Sequence, residues 1–326
     1  MKTLNKTEAI SCIGQLVSAA EPFLFIANFH CDHNYVLPLS EVDSSEILFE
    51  ANGVRNYSDI PKIDKEFSLE KRPISFENFR KDFDEVQKEL HLGNSYLTNL
   101  TFQTPIECNH SLQEIFYRSK AKYKLWMKDD FVVFSPETFV QLSKGKVSSF
   151  PMKGTIDASE IDAETAILNS HKEMAEHVSI VDLIRNDMSI YAENVHVEKF
   201  RYIDEVQTHE KKLLQVSSKI TGQLSEKSKA NFGKVLFSLL PAGSISGAPK
   251  HQTLEIIRQV ENYDRGYYTG VFGIFDGKDF DSGVMIRFIE QRGEQLVFKS
   301  GGGIHSLSNA ESEYREMIDK IYVPIY

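Results

Sequence analysis

The stretch Phe139-Val140-Gln141-Leu142-Ser143-Lys144-Gly145-Lys146-Val147-Ser148-Ser149-Phe150 sets two short β-prone runs on either side of a tight polar turn, which is the grammar of a β-hairpin. If Lys144-Gly145 make a two-residue turn, the numbers of cross-strand partners sum to about 289, so Glu137 falls opposite Met152 and next to Lys153. A carboxyl and an amine then meet at the open end of the hairpin. In Phe150-Pro151-Met152-Lys153-Gly154-Thr155, proline and glycine bracket the lysine, break the ladder and free its side chain to point into a cleft. Spacing alone leaves an ordinary surface salt bridge as the other reading.

Strand patterns of the same kind lie on both sides of this hairpin. Residues 23–29 and 46–49 read as strands, and 61–71 as a polar exposed connection. Near the C-terminus, 271–275, 282–290 and 295–300 read as strands parted by Asp276-Gly277 and Arg292-Gly293. Phe76, Phe79, Phe83, Val86 and Leu90 recur at steps of three and four, with Ser75 placed to cap and Gly93 to terminate an amphipathic helix. Further helical patterns span about 164–191, 230–240 and 249–261, and a last one starts near Asn309. Antiparallel hairpins with segregated helices specify an α+β layered sandwich. No Pro/Gly/Ser-rich linker, repeat or low-complexity run divides the chain, so residues 1–326 are expected to form a single domain.

Composition narrows the function. Lys plus Arg total 37 against 47 for Asp plus Glu, a net charge of −10 that leaves no field to hold nucleic acid. The apolar run at 22–29 is far short of the roughly 20 residues of a membrane span, so no membrane association and a cytoplasmic location are expected. Cys12, Cys31 and Cys108 lack C-x-x-C spacing, so a metal here would be held by oxygen. Two Glu-x-x-Glu pairs, Glu173/Glu176 and Glu313/Glu316, each lie in a helical pattern and put two carboxylates on one face. Such pairs are solvated acidic faces unless a cation lies between them, and two of them facing each other would build an oxygen-only Mg²⁺ site. The small-residue loop 241–250 and Ser300-Gly301-Gly302-Gly303 can bring backbone N–H groups to an anion, though each also reads as plain turn-making. Arg287, between Ile286 and Phe288 in an apolar strand pattern, is a candidate carboxylate clamp or else a strand whose arginine face is wet.

Together these residues resemble one family. Ser135-Pro136-Glu137, Pro151-Met152-Lys153-Gly154-Thr155, Ala175-Glu176-His177 running into Ile180-Val181-Asp182-Leu183-Ile184-Arg185-Asn186-Asp187, the loop 241–250, and Gly301-Gly302-Gly303-Ile304 ahead of 313–320 occur in the order found in the chorismate-utilising enzymes. The resemblance implies the layered α/β/β/α sandwich of that family, with 1–70 a reduced N-terminal part and 71–326 the catalytic core. It implies Mg²⁺ on Glu176 and Glu316, with Glu173 and Glu313 beside it, and chorismate contacts from Thr155, Tyr268, Arg287, Lys320 and the backbone of Gly302 and Gly303. In the branch with lysine where Lys153 stands, that amine attacks C2 of chorismate and a glutamate at the place of Glu137 protonates the departing C4 hydroxyl. Ammonia from a separate glutamine amidotransferase subunit then displaces the lysine, giving 4-amino-4-deoxychorismate for p-aminobenzoate and folate synthesis. Such chemistry requires a neutral lysine and a protonated glutamate. Anthranilate synthase component I is the neighbouring reading and has Ala at the lysine position. A non-catalytic chorismate-binding regulator is the reading from another class.

Several positions depart from the family's pattern. Leu97 stands where relatives have lysine or glutamine, which argues against water as nucleophile; Leu214 replaces a histidine; and Ile156-Asp157 follows Thr155 where an arginine is usual. Phe23-Leu24-Phe25-Ile26-Ala27-Asn28 replaces a tryptophan-binding stretch, so feedback by tryptophan is not expected. The chain is shorter than the usual large subunit, the difference falling at its N-terminus, and no fused amidotransferase segment is expected.

Overall fold

The computed structural model describes residues 2–207 and 212–325. The strands in chain order are β1 (Phe23–Ala27), β2 (Asn34–Pro38), β3 (Ile47–Ala51), β4 (Val54–Arg55), β5 (Leu69–Lys71), β6 (Leu97–Cys108), β7 (Tyr123–Met127), β8 (Phe131–Ser135) and β9 (Thr138–Ser143). They continue as β10 (Lys146–Ser149), β11 (Met152–Asp157), β12 (Ala192–Gln207), β13 (Lys212–Leu224), β14 (Gly247–Ala248), β15 (Val271–Phe275), β16 (Phe280–Val284), β17 (Phe288–Arg292) and β18 (Gln295–Ile304). The helices are α1 (Lys6–Ser18), α2 (Phe76–His91), α3 (Leu112–Arg118), α4 (Ala163–Asn169), α5 (His171–Ser189), α6 (Glu226–Ala230), α7 (Phe232–Leu239), α8 (Gly243–Ser246), α9 (Lys250–Val260) and α10 (Ala310–Asp319).

Two antiparallel sheets result. One runs β11-β13-β10-β9-β16-β15-β1-β2 with β12 also on β13, the other β14-β6-β18-β17-β8-β7-β3-β4 with β5 on β6. Strand β1 shows why they stack: Leu24 and Ile26 meet Phe49, Leu125 and Phe131 of the second sheet, while Phe23 and Phe25 join Ile13 of α1 and Leu236 of α7. A strand's side chains alternate between faces, and all five of its residues are buried, so it lies inside a sandwich covered by helices. The second sheet is covered likewise by α3 and by α2, α9 and α10. The α+β sandwich of α/β/β/α layers read from the sequence is the fold found.

Local readings mostly hold. The β9–β10 partners are Lys146↔Ser143, Val147↔Leu142 and Ser148↔Gln141, and Lys144 and Gly145 both have positive φ, as a type I′ turn requires. Helix α2 starts on Ser75, whose hydroxyl accepts from the Asn78 N–H at 3.3 Å, and ends before Gly93 at φ 79°. Five readings change, the first being the helical pattern over 164–191, which is two helices, α4 and α5, parted at the extended backbone of Ser170. The hairpin ladder stops before Glu137 and Met152, because β11 leaves β9 and pairs with β13. The run 282–290 is two strands on different sheets, β16 and β17, so Arg287 lies in the crossing between them at φ 54° rather than in mid-strand. Residues 69–71 are not a free connection but pair with β6, and Gly301 to Gly303 continue β18 rather than following it.

Candidate active site

The cleft forms where β18 loses a neighbour. Pairing with β17 ends at Lys299, whereas pairing with β6 continues from Lys299↔Gln103 through Gly302↔Leu100 to Ile304↔Thr98. The far edge of Gly301, Gly302 and Gly303 therefore faces a cavity of about 1540 Å³ that Glu137, Lys153, Glu173, Glu176, Tyr268, Arg287, Glu313, Glu316 and Lys320 also line. Glycine is required at 301, where a Cβ would lie 2.2 Å from the Leu100 carbonyl oxygen, and a Cβ on Gly303 would lie 2.9 Å from Lys153 Nζ and push the amine aside.

Lys153 reaches this edge from a bulge. β11 pairs with β13 at Met152↔Ser217 and resumes at Thr155↔Gln215, so Lys153 and Gly154, the latter at φ 87°, stand together against Val216, one residue more than the ladder takes. Bulges re-aim side chains, and here Nζ lies 3.7 Å from Glu176 Oε2 with the lysine side chain 17% exposed. Leu97 Cδ1 stands 3.1 Å from the Cβ position of Gly303, so hydrocarbon closes that side. Glu173 Oε2 lies 3.0 Å from the Cβ position of Gly154.

Glu137 sits between β8 and β9. Burial pushes its carboxyl above the usual range, opposed by the Ser244 hydroxyl, which donates to Oε1 at 2.5 Å, and by the positive charges of Lys153, Arg287 and Lys320. Ser244 belongs to α8, in the small-residue loop, and Lys250 of the same loop pairs with Asp187 of α5 at 2.8 Å. Two of the sequence motifs are thus bolted together, and their joint product is a hydroxyl held on Glu137. His177 is buried on α5, 2.6 Å from the Ser218 hydroxyl; burial lowers its pKa to about 4, so it is a neutral packing residue at pH 7.

Glu313 and Glu316 project from α10 over Gly302, whose Cβ position is 3.7 Å from an oxygen of each and 3.6 Å from Lys320 Nζ. Lys320 also pairs with Glu316 at 2.7 Å and donates to the Gly301 carbonyl at 2.8 Å. Gly302 and Gly303 face opposite sides of their strand. The Glu313/Glu316 pair and the Lys153–Glu176 pair thus approach the same edge from its two faces. Among the described residues no three His, Cys, Asp or Glu side chains form a ready metal cage. The donors nonetheless suit a hard divalent cation, since carboxylate oxygens border a glycine cradle with no side chain to fill it. Arg287 lies over the Tyr322 ring at 5.1 Å, its Nε buried without a hydrogen-bond partner, and Tyr268 is buried against Phe288. Thr155 lies on β11, and its side chain falls outside the described residues.

The site residues read from the sequence thus share one cleft, Thr155 apart. Ser244, His305 and Tyr322 were not singled out. Ser244 lay inside a loop read for its backbone, and His305 directly follows the glycine run, where a polar residue at a strand end was the available signal.

A two-sheet α/β/β/α sandwich with a carboxylate-rich cleft at an open glycine edge defines the class to which the comparisons point. The model of the chorismate binding enzyme family matches residues 26–325, and the chain belongs to that family. A protein described as PabA-like from Haemophilus influenzae is 48% identical over 304 residues, which cover 93% of this chain and 92% of its own. Aminodeoxychorismate synthase component 1 of Salmonella typhimurium is 32% identical across 73% of this chain and 55% of its own length. Anthranilate synthase component 1 of Aeropyrum pernix is 34% identical across 57% of this chain and 43% of its own. The menaquinone-specific isochorismate synthase MenF of Escherichia coli superposes with a TM-score of 0.77 over 98% of this chain and 82% of its own at 15% identity, a likeness of fold. Among the described residues no helix is long and apolar enough to cross a membrane.

Proposed function

We propose that this chain converts chorismate and ammonia to 4-amino-4-deoxychorismate, the reaction of aminodeoxychorismate synthase component I, in p-aminobenzoate and folate biosynthesis. The observation that carries the reading is Lys153 in a β-bulge, its amine 3.7 Å from Glu176 and walled by Leu97 and Gly303, in the cleft that also holds the half-buried Glu137. An amine so placed is a nucleophile when unprotonated, and a carboxyl whose pKa burial raises is biased toward the protonated form that can donate.

In the proposed sequence Lys153 Nζ forms a bond to C2 of the substrate as Glu137 gives its proton to the C4 hydroxyl, which leaves as water. Ammonia bonds to C4, the C2–N bond to the lysine breaks, and the enzyme amine is restored. Arg287 and the Gly302–Gly303 edge orient the carboxylates of the substrate, and Tyr268 packs beneath. Glu176 and Glu316, with Glu173 and Glu313 beside them, would hold Mg²⁺, which when bound binds the ring carboxylate as a Lewis acid and template. Leu97 cannot serve as a base for water, which favours an amine nucleophile over hydroxylation. A glutamine amidotransferase subunit is the proposed source of ammonia.

Purified protein given chorismate, Mg²⁺ and an ammonium salt should release 4-amino-4-deoxychorismate without any partner. Formation of anthranilate or isochorismate instead would overturn the assignment, and a tight stoichiometric complex without turnover would favour a binding protein.

A further inference from the structure

The turn between β18 and α10 touches both sets of carboxylates. His305 Nδ1 accepts the Leu307 N–H at 3.1 Å, so the ring proton sits on Nε2, and Nε2 stands 2.8 Å from Glu176 Oε1. That ring nitrogen is buried and has no aligned hydrogen-bond partner, so its contact with Glu176 is a close charge–dipole approach that a small turn of the carboxylate makes a hydrogen bond, the side chain being 13% exposed. Three residues on, the Ser308 hydroxyl donates to Glu313 Oε1 at 2.8 Å. The turn is locked on itself, because the Ser308 N–H donates to the His305 carbonyl at 2.9 Å and the His305 N–H donates to the Ser308 hydroxyl at 3.3 Å. It is also fastened to α2, whose Gln87 side chain donates to the His305 carbonyl at 2.8 Å.

We propose that this turn aims the two carboxylates, His305 being the positioning residue for Glu176 and Ser308 for Glu313. Each engages the Oε1 atom of its partner. The Oε2 atoms then face the cleft, that of Glu176 at 3.7 Å from Lys153 Nζ and that of Glu313 at 3.7 Å from the Gly302 Cβ position. Because the two glutamates approach the β18 edge from opposite faces, a rigid turn passing over the end of that strand is placed to set both at once. A carboxylate held in one rotamer loses less freedom when a cation arrives, and partners of this kind are worth about 10- to 100-fold in metal affinity.

The inference rests on the cation reading of the cleft, and its test reads binding as well as turnover. Mn²⁺ is titrated into the full-length protein, with and without chorismate, and the free ion is followed by its electron paramagnetic resonance signal. His305→Ala should weaken Mn²⁺ binding by about tenfold or more, and the Mg²⁺ concentration giving half-maximal rate should rise by the same factor. His305→Gln, whose amide nitrogen can occupy the place of Nε2, should recover most of the loss. Ser308→Ala should weaken binding less, with recovery in Ser308→Thr. Both conservative variants keep the bulk of the turn and so guard against a folding failure. Unchanged affinity in His305→Ala overturns the proposal, as does a His305→Gln variant as weak as His305→Ala, since the ring would then act by packing alone. A parent protein that binds no Mn²⁺ while its variants fold normally overturns the cation reading itself, and the role of the turn with it.

Discussion

Lys153 and Glu137 are charged residue types withdrawn from water, and the proposed chemistry asks opposite things of them. Lys153→Ala removes the group that bonds to C2, so kcat should fall by about a thousandfold or more with chorismate affinity little changed; an unchanged rate would remove covalent catalysis. Glu137 must start protonated. Burial raises its pKa, so the donor form is full at low pH and is lost as pH rises through that raised value, giving the alkaline limb of kcat/KM. The Ser244 hydroxyl favours the ionised form. Ser244→Ala should therefore move this limb to higher pH, and a limb that stays or moves down would separate Glu137 from the proton transfer. Lys153 and Glu137 drew attention in the sequence through the local signals of proline and glycine around a hairpin, although the pairing that set Glu137 opposite Met152 stops short of both. Ser244 was not, since only the folded chain sets α8 against the segment joining β8 and β9.

Within β18, neighbouring glycines answer to different causes. A Cβ at Gly301 would meet the Leu100 carbonyl oxygen at 2.2 Å, a backbone atom held in the ladder, whereas one at Gly302 meets its nearest atom, Lys320 Nζ, at 3.6 Å. Gly301→Ala should thus destabilise the protein by about 2 kcal/mol or more in urea unfolding. Gly302→Ala should leave the unfolding midpoint nearly unmoved and weaken chorismate or cation binding by filling the cradle. Equal losses of stability in the two variants would contradict this division. The sequence marked the glycine run but not its edge. Its exposure depends on where β17 begins, and β17 begins only after Arg287 turns the chain from one sheet to the other. The hairpin turn was readable from Lys144-Gly145 alone, but the departure of β11 was not, because its partner β13 lies some sixty residues on.

Across the whole molecule, periodicity disclosed the layers, since each apolar strand or helix face needs a cover, while the order of strands was hidden in pairings such as β1 with β15 and β14 with β6. What joins these distant pieces includes a charge pair four residues apart in the chain and buried in the fold. Glu261, at the end of α9, and Arg265 are 2% and 1% exposed and 2.7 Å apart. Arg265 also donates to the carbonyls of Asn99 on β6 and Ile245 on α8, at 2.7 and 2.9 Å, and Glu261 accepts the Thr101 N–H at 2.8 Å. One pair therefore fastens the second sheet, α9 and the loop that presents Ser244. Breaking a buried pair leaves the surviving charge without compensation, a loss of about 3–5 kcal/mol. Glu261→Gln should lower unfolding stability by that amount. Glu85→Gln, which removes the exposed partner of Lys88 on α2, should change it by less than about 1 kcal/mol. Denaturant titration of both variants compares the two costs directly, and similar small effects would mean that Arg265 is supported by the carbonyls of β6 and α8 without its carboxylate.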